Sequence, residues 1–332
     1  MLALSGQAIY QHPVPSDAIV DPPYTVDLSW LSCGECSHGW QPRFDEQLLA
    51  RIYRSHYYTP APGGFALQFR NDFLAALEHN GVVGHRRALL EIGASDGDVL
   101  SELARRTGAL HAYAFEPNHE NAAIARKRGL DVRESFFGVQ ALAEQNLEPA
   151  DLIYARHVIE HIFAFGDFFT ALARAAAPGA DLILETPSLD FHAREGSLGP
   201  FHVEHVHVFS LRSLVRLAVR HGWGLTWSTV SADGNLIAAF GKSARNADVP
   251  APALDHLQRS VNARTQQWRE RVAGKRLLFW GAGSTGVALA NILGREPDLW
   301  TDGNPNKVGK KFIGLQSRII APEEALRLAR EW

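Results

Sequence analysis

Five short apolar runs, at residues 88–92, 111–115, 131–136, 151–155 and 181–185, alternate with three helical patterns at 99–106, 118–128 and 168–177. This alternation constrains the fold more than any other feature. Buried parallel strands need a crossover between each pair, and a helix is the usual crossover. The pattern therefore predicts an α/β, doubly wound, Rossmann-like parallel sheet covered by helices on both faces. A helix at 211–221 and β-patterned runs at 225–230 and 236–240 follow. Five parallel strands, a helix and a closing pair match one variant of the doubly wound sheet.

The first run ends in Leu89-Leu90-Glu91-Ile92-Gly93-Ala94-Ser95-Asp96-Gly97-Asp98, and the second closes on Glu116. Ligands of open α/β sheets bind beyond the carboxyl ends of the strands, where the strand order reverses. Gly93 and Gly97 lack a Cβ and let the backbone approach a ligand. Glu116 is placed to accept hydrogen bonds from two ribose hydroxyls. Carboxylates at Glu91 or Asp96 complement a cationic group and would repel a pyrophosphate.

These residues, with Phe115-Glu116-Pro117 and Ala155-Arg156-His157-Val158-Ile159-Glu160-His161-Ile162, resemble class I S-adenosylmethionine-dependent methyltransferases. More narrowly, the layout resembles sugar C-methyltransferases acting on nucleotide-linked 4-keto-6-deoxysugars. The resemblance implies S-adenosylmethionine as cofactor, held by Glu91, Gly93, Ser95, Asp96, Gly97, Glu116, Pro117, Arg156 and His157. It also implies three units: a zinc-ribbon-like, substrate-covering module at 1–80, a methyltransferase domain at 81–245, and a small nucleotide-sugar-binding unit at 254–332. The many prolines before residue 63 make the first unit read as an irregular entry segment.

Phe201-His202-Val203-Glu204-His205-Val206-His207 lies past the fifth run. Methylating a carbon next to a ketone requires a base near neutrality and a donor for the enolate oxygen, and histidine suits the first task. The resembled family carries Tyr-x-Glu-His here. Glu204 and His205 match, which makes His205 the expected base and Glu204 its partner or a substrate ligand. His202 stands at the tyrosine position as an oxyanion donor, with His161 also facing the substrate. Tyr57 or Tyr58 corresponds to a tyrosine that reaches over the pocket. His157-x-x-Glu160-His161 has the spacing of some zinc peptidases, but no third ligand or helical scaffold is evident from the sequence. No metal is expected among the catalytic residues. Cys33-x-x-Cys36 is half of a zinc-ribbon pattern, and two thiolates do not close a structural site, so zinc there is not favoured.

Gly281-x-Gly283-x-x-Gly286, with Asp302 about 20 positions on, meets the dinucleotide fingerprint and raises a nicotinamide-dependent oxidoreductase or epimerase as a rival. Only about 55 residues follow Lys275, room for one mononucleotide half. The resemblance instead assigns Gly281, Gly283, Ser284, Gly286 and Asp302 to the nucleotide part of the substrate. A second rival keeps the cofactor and methylates oxygen or nitrogen on another sugar or natural product.

A formal charge of -3 gives no field for a nucleic-acid partner. No apolar run approaches the roughly 20 residues of a membrane span. Two cysteines and the lack of a leader pattern fit the cytoplasm. A monomer or homodimer acting on a nucleotide-linked sugar is the expectation.

Overall fold

The computed structural model describes residues 2–10, 12–18, 24–43, 45, 47–49, 52, 65–242, 248–252, 254 and 256–332. The first strands, β1 (Leu2–Ala8), β2 (Thr25–Ser32) and β3 (Gly39–Trp40), pair antiparallel in chain order. Helix α1 (Phe65–His79) follows. The sequence reading took this whole stretch as irregular, and the structure corrects it. Phe73, Leu74 and Leu77 fall on one helical face and share an apolar cluster with Leu89, Tyr154 and Ile183. Prolines before residue 63 had obscured that face.

The alternating segment forms β4 (Ala88–Ile92), α2 (Asp98–Thr107), β5 (His111–Phe115), α3 (His119–Lys127), β6 (Asp131–Arg133), α4 (Val139–Ala143), β7 (Ala150–Arg156), α5 (Phe165–Ala175) and β8 (Ala176–Pro187). Helix α6 (Leu189–Glu195), β9 (His207–Val208), α7 (Leu211–Arg220), β10 (Gly224–Val230) and β11 (Asn235–Gly241) continue the chain. The seven-stranded sheet runs β10-β11-β8-β7-β4-β5-β6. Its five strands from β8 to β6 are parallel, and β11 and β10 join antiparallel at one edge. This is the doubly wound sheet with a closing pair that the alternation predicts.

Chain order reverses between β4, which neighbours β5 on one side, and β7 on the other. The crevice of such a sheet opens at that reversal. Ile92 pairs with Ala155, so the turns after β4 and β7 leave the sheet side by side. Side-chain caps fix the nearby helices: Asn118 accepts from the Asn121 N–H at α3, and Ser210 and Ser213 form a reciprocal box at α7.

After α8 (Leu257–Val272), β12 (Leu278–Trp280), α9 (Ser284–Leu293), β13 (Leu299–Thr301), β14 (Ile319–Ile320) and α10 (Pro322–Ala329) build a three-stranded parallel sheet with its helices. Among the described residues, no helix is long and apolar enough to cross a membrane. The first sheet has a fourth strand, β9, which pairs with β3 although it lies in the histidine-rich segment.

Candidate functional site

The turn after β4 is wound tightly. Gly93, Ser95 and Gly97 all adopt left-handed backbone conformations, with φ of 73°, 51° and 75°. At Ser95 this costs about 1–2 kcal/mol, a strain typical of ligand-binding turns. Glu116 braces the turn: one carboxylate oxygen accepts the Ser95 N–H at 2.7 Å and the other the Asn118 N–H at 2.8 Å. Burial pushes its carboxyl upward against those two amides. Each oxygen keeps a second lone pair for a ribose hydroxyl, and the Ser95 hydroxyl oxygen is buried without a partner among the described residues. These residues fit a ribose-bearing cofactor.

The other residues expected around the cofactor take varied positions. Glu91 stands behind the turn, 3% exposed, and accepts from the Tyr154 hydroxyl at 3.0 Å. Burial pushes its carboxyl up to about 8. Asp96 pairs with Arg128 at 3.1 Å, and Pro117 is exposed. The Arg156 guanidinium pairs with Glu185 and lies over the Phe73 ring at 4.6 Å. His157 is left-handed, at φ 51°, and its N–H donates to the Glu185 carbonyl.

The turn after β7 carries the second half of the site. A Cβ built on Gly93 would meet Val158 Cγ2 at 2.5 Å, so only glycine lets the two turns approach this closely. A single 3₁₀ turn, Ile159–His161, then presents Glu160 and His161. The histidine-rich segment folds back onto it. His161 Nδ1 donates to the Glu204 carbonyl at 2.8 Å, and His205 Nδ1 donates to the Pro200 carbonyl at 2.9 Å. A carbonyl only accepts, so both rings carry a hydrogen on Nδ1, and the neutral His205 keeps a lone pair on Nε2. His205 Nε2 faces Glu160 Oε1 at 3.9 Å, and the His202 and His205 rings lie 3.7 Å apart between centroids.

Burial dominates the electrostatics of this cluster. It holds His205 well below the usual histidine range and brings His202 to about 3, each aided by neighbouring histidines. Burial likewise raises the Glu204 carboxyl. Glu160 goes the other way: burial opposes ionisation, but His157 and His161 outweigh it and hold the carboxyl low. His202 and His205 thus rest as neutral imidazoles beside the Glu160 carboxylate, which in turn raises His157.

The structure brings His161, His202 and His205 together, but the carboxylate facing His205 is Glu160. Glu204 contributes its backbone carbonyl, and its Oε1 is buried without a partner among the described residues. The sequence carried a signal for Glu160 in the His157-x-x-Glu160-His161 spacing. Two further residues gave no signal. The Gln41 side-chain amide donates to the carbonyls of His202, Val203 and His205 at 3.2, 3.1 and 3.0 Å, and the Trp30 indole N–H reaches the His205 carbonyl at 3.2 Å. The first sheet therefore grips the histidine segment through its backbone. Tyr57 and Tyr58 lie outside the described residues.

Cys33 and Cys36 are both half-buried. Among the described residues, they belong to no group of three potential metal ligands. The backbone amides of Cys36 and Glu35 lower the Cys33 thiol, while burial raises that of Cys36.

At the second glycine turn, Gly281 has φ 121° and Gly283 caps α9, whose first residue is Ser284. A Cβ on Gly286 would meet the Gly281 carbonyl oxygen at 2.8 Å. Asp302 is committed to the turn itself. One of its oxygens accepts the Ala282 N–H at 2.6 Å and Lys307 Nζ at 2.9 Å, and the other accepts the Asn304 N–H at 2.8 Å.

Residues 63–226 match the family profile described as a methyltransferase domain. A ubiquinone biosynthesis O-methyltransferase of Hahella chejuensis is 31% identical over 30% of this chain and 43% of its own. A probable S-adenosylmethionine-dependent methyltransferase of Mycolicibacterium smegmatis is 28% identical over 46% of this chain and 63% of its own. The N-methyltransferase NodS from Bradyrhizobium japonicum is 18% identical, with coverage of 53% and 96% and a TM-score of 0.39. The chain thus spans less than two thirds of the length of these two curated relatives. Its central segment, which carries the turns after β4 and β7, Glu116 and the histidine segment, matches the methyltransferase-domain profile and is similar to S-adenosylmethionine-dependent methyltransferases.

Proposed function

We propose that the whole chain is a cytoplasmic C-methyltransferase acting beside the ketone of a nucleotide-linked keto-deoxysugar. One observation carries this reading: neutral imidazoles facing a buried carboxylate, on the turn that packs against the donor turn. S-adenosylmethionine, when bound, supplies an electrophilic methyl group on a sulfonium. His205, fixed by the Pro200 carbonyl, takes the acidic proton from the substrate carbon on Nε2. Glu160, 3.9 Å away, offsets the charge of the resulting imidazolium. His202 stands against His205 with its Nδ1 buried and unpartnered among the described residues, a position suited to the enolate oxygen. His161, whose Nδ1 hydrogen is held by Glu204, is better suited to orientation than to donation. Tyr57 or Tyr58 would close over the sugar, and the Gly281–Gly286 turn with the α9 N-terminus would receive its phosphates.

His205→Ala should lower turnover by about 10²–10⁴-fold, the usual contribution of a general base, while donor binding measured by calorimetry persists. Full turnover in that variant would overturn the assignment. The curated relatives that are ubiquinone biosynthesis O-methyltransferases favour a second reading, methyl transfer to a hydroxyl by the same base. Mass spectrometry in deuterated solvent separates the two, because only the enolate route exchanges the proton beside the ketone.

A further inference from the structure

Glu160 is completely buried, yet neither of its carboxylate oxygens has a hydrogen-bond partner among the described residues. Leaving a buried carboxylate so placed is costly unless a positive charge meets it. His157 Nδ1, 3.4 Å from Oε1, offsets only part of that charge. One ligand atom each from Glu160, His161 and His205 lie within 4.8 Å of one another. Tetrahedral ligands on bonds of about 2.0–2.1 Å stand roughly 3.4 Å apart, so small side-chain rotations close the set. Both histidines also give their Nδ1 hydrogen to a backbone carbonyl, from Glu204 and Pro200. Metal-ligating histidines are oriented in this way, with the second nitrogen left as the ligand.

We propose that Glu160, His161 and His205 bind one divalent transition-metal ion. Two imidazoles and one carboxylate suit zinc, cobalt or their neighbours and are a poor match for magnesium or calcium, which favour all-oxygen sets. Three protein ligands leave a fourth position for water or a substrate oxygen. The zinc-peptidase-like spacing is only partly used: the third ligand comes from the histidine segment, and His157 is outside the set. A functional consequence rests on the reaction proposed above. Nε2 of His205 cannot hold a metal and accept a proton at once, so the loaded protein lacks its base. The ion therefore inhibits methyl transfer and competes with the methyl acceptor.

The test titrates cobalt(II) into the full chain and follows the visible absorption of the tetrahedral ion, with zinc measured by competition. One equivalent is expected, retained in the double variant Cys33→Ser/Cys36→Ser. Binding should weaken by at least roughly 100-fold in Glu160→Gln and in His161→Gln, which test the set independently if either fails to fold. Absence of stoichiometric binding, unchanged binding in the folded ligand variants, or loss in the cysteine variant would overturn the site. Cobalt binding by a protein whose metal-free form turns over no keto-sugar would refute the proposed reaction and leave the metal site standing. Turnover without cobalt binding would do the reverse.

Discussion

Gln41→Leu is the sharpest perturbation of the site, because it touches no reacting group. The side chain is buried, and its amide supplies hydrogen to three carbonyls of the histidine segment. Leucine keeps the volume and removes every donor. The His205 carbonyl retains the Trp30 indole and the His202 carbonyl the His205 N–H, but the Val203 carbonyl loses its donor among the described residues. At about 1–3 kcal/mol for a buried unsatisfied group, the closed segment loses roughly 1–3 kcal/mol. The segment escapes part of that cost by opening to water, and about 2 kcal/mol shifts such an equilibrium roughly 30-fold. Hydrogen exchange across residues 201–209 should accelerate accordingly. Turnover should fall with the closed population, while donor binding at the Gly93–Gly97 turn stays unchanged. Wild-type exchange and wild-type turnover together in Gln41→Leu would refute the idea that the first sheet holds the segment in place.

Glu91 predicts a pH effect on stability. Its folded carboxyl titrates at about 8, above the unfolded value, so the native state binds the extra proton between them. Its contribution is therefore greatest below the unfolded value and is lost as pH rises to about 8. Glu91→Gln should remove that loss, with a stability gain over wild type that grows from pH 5 to 8 to a few kcal/mol, read by denaturant melts; a pH-independent difference would refute it. Gly286→Ala drives a methyl group into the Gly281 carbonyl and the Trp300 ring, at 2.8 and 2.9 Å. It should destabilise the last sheet by about 1–3 kcal/mol and raise KM for a nucleotide-linked acceptor more than it lowers kcat. Alkylation followed by mass spectrometry should label Cys33 before Cys36, since backbone amides favour the Cys33 thiolate.

The doubly wound sheet was legible because strands buried on both faces read as continuous apolar runs, such as Ala88–Ile92. The turn after β4 was legible because left-handed positions demand glycine at Gly93 and Gly97. Other features depend on partners remote in sequence. Glu160 looks like part of a local spacing until His205 is folded against it. Gln41 and the residues it holds are about 160 positions apart, and a lone glutamine has no pattern. Asp302 carries the fingerprint position, yet its oxygens are spent on Ala282, Asn304 and Lys307, a use that only the folded turn reveals. The shortened third strand, Asp131–Arg133, ends where the apolar run 131–136 continues. Phe136 is exposed, so apolar character alone overran the strand.

The place of β9 in the first sheet sets an order of events during synthesis. His38 and His207, in contact at 2.9 Å, are 169 residues apart along the chain. The opening strands leave the ribosome with one edge unfilled and wait there until that distant segment is made. Unpaired edges invite pairing with other chains. The brevity of β3, only Gly39–Trp40, keeps that waiting edge small. Closure of the first sheet and assembly of the histidine cluster are then a single late event, so a nascent chain stalled before residue 207 holds the Gly93–Gly97 turn without the cluster that faces it.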